Sequence, residues 1–316
     1  MKIISWNVNG IRSNILDNNT AKFKRSRKIE DKSVLKTIID NYNPDIICFQ
    51  ETRLGKDLYH LFESSNIKEF FPYQYWSSSQ GEKGRAGNRY SGTSIWSKIK
   101  PDSVIYDAPG LNDKEGRFIQ LNFKNCILIT TYTPNTGSNW DYRLKHWEPI
   151  ITKYLCTLSK GIKPLIYCGD NNIANINDVW FGKSLEKKYE LEKDVLQKKK
   201  IKSKIASRKK IHTGEKILCG YSKQERDAYS NLVSKCNLID CYRHLNPNSI
   251  DNFTWFNIRI KNSFKNNMGW LIDRFLMQSK FKNKINKCEI LKEIGIRNEN
   301  QIFISDHLPI FLDIEF

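Results

Sequence analysis

The sequence predicts an α/β layered fold, and three observations carry that expectation. Short apolar runs rich in β-branched and aromatic residues recur between polar turns, as buried strands require. A few longer segments place apolar residues at helical spacing. No internal repeat or linker divides the chain, so strands and helices are expected to share layers around a common core. With 316 residues, 39% hydrophobic and 12% aromatic, such a core is within reach and wholesale disorder is excluded.

The elements follow in order. Residues 3–8 (Ile-Ile-Ser-Trp-Asn-Val) form the first strand-length run. Residues 34–42 carry apolar side chains at 34, 35, 38, 39 and 42, one face of a helix. Residues 46–49, 93–96, 118–123 and 126–132 read as four further strands, the last ending in Tyr132. A weaker helical pattern covers 140–158, and 165–168 is again a strand. Residues 224–236 read as a helix on the spacing 228, 229, 232, 233 and 236, and strands at 270–277, 302–304 and 310–314 close the chain. Two basic segments, near 18–30 and 183–218, interrupt this pattern. Residues 22–28 hold five cations in seven positions, and residues 183–216 hold 13 cations against 5 acids. Each reads either as a solvated surface element or as an arm that tracks polyphosphate.

Charge narrows the partners. The chain has 52 Lys+Arg against 34 Asp+Glu, a formal net charge of +18, which favours polyanions, nucleic acid first, through long-range attraction and counterion release. The apolar runs fall far short of the roughly 20 residues a membrane helix needs, and residues 1–7 lack an apolar signal region. An intracellular protein is expected. Eight cysteines, none in a C-x-x-C pair and several inside apolar runs, read as buried reduced thiols without structural zinc.

Polar residues able to do metal or proton chemistry recur at or just after the ends of the strand runs. They are Asn7 and Asn9, Glu51, Tyr132, Asp170 with Asn172, Asp273 within its run, and Asp306 with His307. Strand ends converge on one edge of layered α/β proteins, so these residues can meet although far apart in sequence. Singly, each has an ordinary reading: Asp170 as a turn or helix cap, His307 as a buried hydrogen-bonded histidine, Glu51 as a surface carboxylate, Tyr132 as a core tyrosine. Asp273, between Ile272 and Arg274, needs a partner to offset its desolvation, and His307 is the natural one.

These residues carry a resemblance. Trp6-Asn7-Val8-Asn9-Gly10-Ile11-Arg12, Gln50-Glu51-Thr52, Tyr132-Thr133-Pro134-Asn135, Gly169-Asp170-Asn171-Asn172-Ile173, Gly269-Trp270-Leu271-Ile272-Asp273 and Ser305-Asp306-His307-Leu308-Pro309 resemble, in order, the motifs of the exonuclease III family of apurinic/apyrimidinic (AP) endonucleases. Together the six are specific for the wider endonuclease/exonuclease/phosphatase superfamily. Phe253-Thr254-Trp255-Phe256 and the segment from Gly220 to Arg226 resemble its DNA-repair branch.

The resemblance implies one domain over residues 1–316, a four-layer α/β sandwich of the deoxyribonuclease I type. Two mostly antiparallel sheets would pack face to face between helices, with the active site at one end. Glu51 would hold a divalent cation, Mg²⁺ with Mn²⁺ able to substitute, and Asp306 and Asn9 would be further metal contacts. Asp170 would orient and deprotonate the attacking water, positioned by Asn7 and Asn172. His307, held by Asp273, would donate to a phosphate oxygen that Tyr132 also contacts. Trp255, Trp270 and Ile272 would line a compact apolar pocket for a flipped-out sugar lacking its base, while Asn135 and Arg259 would contact DNA.

The sequence departs from the family pattern at Asn9, where some members carry Asp, and at Ser138, where some place a DNA-intercalating arginine. It departs again at 183–216, which replaces a short loop. The expected activity is Mg²⁺-dependent incision 5′ to abasic sites in double-stranded DNA, with 3′–5′ exonuclease or 3′-end trimming besides, by a monomer in the nucleus or wherever DNA is replicated or repaired. The rivals are a non-specific nuclease, which would tolerate truncation of Trp255 and Trp270, or a phosphatase of the same superfamily, and a non-catalytic DNA-binding module.

Overall fold

The computed structural model describes residues 1–12, 34–63, 67–81, 89–137, 139–181, 183–213, 217–294 and 304–316. Its strands, in chain order, are β1 (Lys2–Asn7), β2 (Ile46–Gln50), β3 (Tyr73–Ser77), β4 (Thr93–Ser97), β5 (Ser103–Ile105), β6 (Phe118–Asn122), β7 (Ile127–Tyr132), β8 (Leu165–Asp170), β9 (Leu238–Asp240), β10 (Trp255–Phe256), β11 (Gly269–Trp270), β12 (Asp273–Gln278), β13 (Ile285–Ile290) and β14 (Ile310–Ile314). They form a six-stranded sheet in the order β13-β14-β1-β2-β4-β3, a second in the order β5-β6-β7-β8-β12-β9, and a two-stranded β10-β11 ribbon. Each large sheet is antiparallel except for one central parallel pair, β1 with β2 and β7 with β8.

Period-two alternation along these strands makes the layers. Ile3, Ile46 and Cys48 of the first sheet and Ile119, Leu121, Leu128, Ile166 and Cys168 of the second meet in a dry core between the sheets. Their neighbours Ile4, Trp6, Ile47 and Phe49 turn outward under helix α1 (Val34–Tyr42), whose Val34, Leu35 and Ile38 cover them. Phe118, Ile129, Leu165 and Tyr167 turn outward under α2 (Glu148–Ser159). The result is the expected helix, sheet, sheet, helix order. Each fully buried aliphatic or aromatic side chain contributes about 1.5–3 kcal/mol relative to exposure.

The basic insertion folds as two helices, α3 (Lys183–Leu191) and α4 (Val195–His212). Next comes α5 (Lys223–Lys235), packed on the second sheet beside α2. A capping box starts α5: Ser222 accepts from the Glu225 amide while Glu225 returns to the Ser222 amide.

Several expectations change. The single strand at 270–277 is two strands, because Trp270 pairs with Trp255 in the ribbon while Asp273 opens the ladder with Asp170. Between them Thr254 Oγ1 accepts the Ile272 and Asp273 amides, each at 3.1 Å, in place of a ladder partner. The helical pattern at 140–158 opens as a π-helical segment, Tyr142–Trp147, before α2 begins. The cysteines are not all reduced: Cys156 on α2 and Cys236 at the end of α5 form a disulfide, since the two helices pack side by side although 80 residues separate the pair. The other six are free. The strand expected at 302–304 lies outside the described residues except for Ile304, and the 18–30 insertion and Ser138 lie outside them as well.

Candidate active site

Both parallel pairs run their C-terminal ends to one edge, and the antiparallel β12 and β14 begin there. Asn7 ends β1, Glu51 follows β2, Tyr132 ends β7, Asp170 ends β8, Asp273 starts β12, and His307 precedes β14. Strand direction alone therefore gathers residues up to 300 positions apart.

Asn7 is the hub. Its buried amide nitrogen donates to Asp170 Oδ2 at 2.9 Å and to Glu51 Oε2 at 3.2 Å. The Asn172 amide donates to Asp170 Oδ1 at 2.8 Å. His307 Nε2 lies 3.8 Å from Asp170 Oδ2, and its Nδ1 is 2.9 Å from Asp273 Oδ2, so the ring is fixed with Nε2 toward Asp170. Trp6 supports the same segment by donating to the His307 carbonyl at 3.0 Å. Glu51, Asp170 and His307 thus belong to one connected polar group, joined through Asn7.

The electrostatics follow from burial. Desolvation pushes the Asp170 carboxyl up to about 7, with Asp273 reinforcing the rise and His307 opposing it. Burial alone would lower His307, but the Asp273 and Asp170 carboxylates outweigh it and raise the imidazole to about 10. Burial, then Glu51 and Asp170, hold the Tyr132 phenol well above its ordinary range against the pull of Arg117. At neutral pH the edge offers a base, a cationic donor and a phenolic donor.

Among the described residues, two places at this edge hold groups of metal-ligating type. Asp170, Asp273 and His307 bring ligand atoms within 4.8 Å of one another, but His307 Nδ1 is committed to Asp273 and the raised imidazole proton affinity opposes a cation there. The second place is oxygen-rich. Asn9 Nδ2 donates to Asp306 Oδ1 at 2.8 Å, leaving the Asn9 amide oxygen as a neutral donor, and the Asn9 backbone N–H donates to Asn7 Oδ1 at 3.0 Å. Glu51 is joined to this group through Asn7 and is paired with Arg53. Oxygen donors of this kind suit a hard divalent cation.

Trp255 and Trp270 pair across the ribbon with ring centroids 5.4 Å apart, and both pack in one cluster with the buried Ile272. Trp255 Nε1 also donates to Asp306 Oδ2 at 3.1 Å, which ties the apolar wall to the polar edge. Asn135 is exposed beside Asn172, its amide donating to Asn172 Oδ1 at 3.3 Å. Arg259 is exposed on the turn after β10 and is not drawn into the polar cluster.

Sequence reasoning missed several supporting residues. Arg143, 1% exposed, donates to the carbonyls of Pro134 at 2.6 Å and Asn171 at 3.0 Å, clamping the loops after β7 and β8 together. Gln50 donates to Ser5 at 3.0 Å and to Thr130 at 2.9 Å, joining the two sheets beneath the site. Arg117 stacks 4.6 Å from the Tyr132 ring centroid. Asn9, Glu51 and Asn172 all adopt left-handed backbone, at φ 45°, 54° and 48°, strain of a kind that concentrates at functional sites. A turn requirement at Asn is legible in sequence; at Glu51 no residue-type signal announces it.

A deep two-sheet sandwich with carboxylates, a histidine and amides gathered at the shared strand ends defines a hydrolase-type catalytic scaffold. The chain belongs to the Endonuclease/Exonuclease/phosphatase family, whose model matches residues 4–307. It is 30% identical to an exodeoxyribonuclease of Bacillus subtilis over 99% of both chains. It is 28% identical to a DNA-(apurinic or apyrimidinic site) endonuclease of Dictyostelium discoideum, over 98% of this chain and 69% of that one. The fold matches the solved structure of an AP endonuclease from Archaeoglobus fulgidus with TM-score 0.68 and 22% identity over 100% of both chains.

Proposed function

We propose that this protein is a divalent-metal-dependent AP endonuclease that hydrolyses the phosphodiester 5′ to an abasic site in double-stranded DNA and also removes 3′-terminal groups or nucleotides. The observation that carries the proposal is the continuous line Glu51, Asn7, Asp170, His307, Asp273, closed by contacts of 3.2, 2.9, 3.8 and 2.9 Å. The names of the Bacillus and Dictyostelium relatives support the substrate class.

Asp170, oriented by Asn7 and Asn172, takes a proton from the attacking water. The water oxygen adds to phosphorus as the bond to the 3′-oxygen breaks; the departing oxygen takes a proton from solvent, and Asp170 returns its own to solvent, leaving a 3′-hydroxyl on one side and a 5′-deoxyribose phosphate on the other. His307, kept protonated and fixed by Asp273, donates from Nε2 to a non-bridging oxygen, and Tyr132 donates to the same phosphate. Glu51, Asp306 and Asn9 would hold Mg²⁺ or Mn²⁺, and such an ion would supply neutralisation of charge on the phosphate oxygens. Trp255, Trp270 and Ile272 form a wall that accepts a sugar without a base, the extrusion of which costs little because it has lost stacking and pairing.

The test is an end-labelled duplex with one abasic analogue. Incision 5′ to the lesion is expected with Mg²⁺ and not with chelator. Asp170→Asn and His307→Ala should each lower the single-turnover rate by about 10² to 10⁴ while far-UV circular dichroism stays unchanged. No metal-dependent incision, or incision indifferent to both substitutions, defeats the assignment.

A further inference from the structure

The α3–α4 hairpin plays no part in the chemistry above, yet it packs into the same cluster as Trp255, Trp270 and Ile272. Leu185 and Ile201 are only 5% and 7% exposed. They pack with Tyr189 and Ile205 in the same cluster that contains Phe181, Tyr221, Trp255, Trp270 and Ile272. Leu185 with Tyr189, and Ile201 with Ile205, are each four residues apart, so one face of each helix docks against the body.

The turn between the helices and the other faces of α4 are cationic. Lys193, Lys199, Lys200 and Lys202 are exposed and are paired with no carboxylate among the described residues. Nearby, Lys187 lies 4.0 Å from Asp251, and Lys198 sits 5.1 Å over the Tyr189 ring, so those two have partners already. Like charges held this closely on a fixed helix repel one another, and a row of phosphates relieves that repulsion. A mobile tail would not hold them in register with the pocket; a docked helix does.

We propose that this hairpin is a second duplex-binding surface: Lys193, Lys199, Lys200 and Lys202 track backbone phosphates beside the lesion while Leu185 and Ile201 fix them to the pocket wall. The partner is double-stranded DNA, held at its phosphates and therefore without regard to sequence. The inference rests on the endonuclease reading of the site, and its test separates the two.

The full chain with Lys193, Lys199, Lys200 and Lys202 all changed to Gln keeps helix propensity and stem length and leaves the polar edge untouched. Fluorescence anisotropy on abasic and undamaged duplexes, across a salt series, measures binding; single-turnover incision at saturating enzyme measures chemistry. Removing one lysine–phosphate pair flattens the plot of log affinity against log salt by about 0.9. Removing all four would flatten it by about 3.6 and weaken binding to both duplexes by about 10² more at 50 mM salt than at 200 mM. The saturated incision rate should stay within about twofold of wild type, whereas Asp170→Asn should lose incision and keep the salt slope. Unchanged affinity and slope in the Gln variant overturn the inference. So does wild-type binding of single-stranded RNA as tight as of duplex DNA, lost equally in the variant. If wild type binds duplex with the expected slope but never incises it, the endonuclease reading fails and the surface stands.

Discussion

Asp170 and His307 sit 3.8 Å apart and are tuned by opposing influences. With Asp170 pushed up to about 7, the base is lost as pH falls through that value; with His307 raised to about 10, the donor is lost as pH rises through that one. The single-turnover rate should therefore be bell-shaped, with an acid limb near 7 and an alkaline limb near 10. Asp273→Asn should shift the alkaline limb downward, because it removes the first of the two carboxylates that hold the imidazole proton. A pH–rate profile of both proteins checks this; an alkaline limb that stays put would show that Asp273 does not govern His307. At this scale the sequence was informative about what carries charge and poor about what holds it. Asp170, Asp273 and His307 stand out as polar residues at apolar run ends. Arg143 does not, and Thr254 and Gln50 stand within quoted motifs without a role, because their work is to satisfy backbone and cross-sheet partners that exist only after folding.

Gly169 shows how an element fixes a residue. It precedes Asp170 on β8 with φ +132°, and a Cβ there would lie 2.0 Å from the Thr131 carbonyl on β7. Gly169→Ala should cost about 3 kcal/mol or more through strain and overpacking, and should move Asp170 off its register with Tyr132. Urea unfolding read beside incision at a temperature where the variant remains folded tests the point; unchanged stability would mean the strands do not approach so closely. The strands that were legible are apolar on both faces, such as β2 and β8, buried along their whole length. Those that were missed, such as β3 and β13, are half-exposed at many positions, and their polar residues masked the alternation. Charge hid α3 and α4 in the same way, since lysines dominate the pattern and only a few apolar residues mark the docking face.

Across the whole molecule, alternation foretold a layered α/β protein and the family resemblance implied its four layers, but neighbour order within a sheet depends on long-range pairing that local pattern does not encode. One such pairing has a consequence for biosynthesis. β1 lies hydrogen-bonded between β2 and β14, so Ile3 meets Leu312 and Ser5 meets Ile310. A ribosome that has released β1 and β2 holds a sheet with an open flank, and His307 arrives only with the strand that seals it. Such distant closure is slow, and no chain still lacking the His307 segment owns a complete cutting centre. On refolding from denaturant, DNA incision should return together with amide protection of β1 and β14 in pulsed hydrogen exchange. Activity that preceded that protection would show that cleavage does not wait for the seam to close. The order would keep nuclease chemistry latent until β14 has been made and has paired with β1.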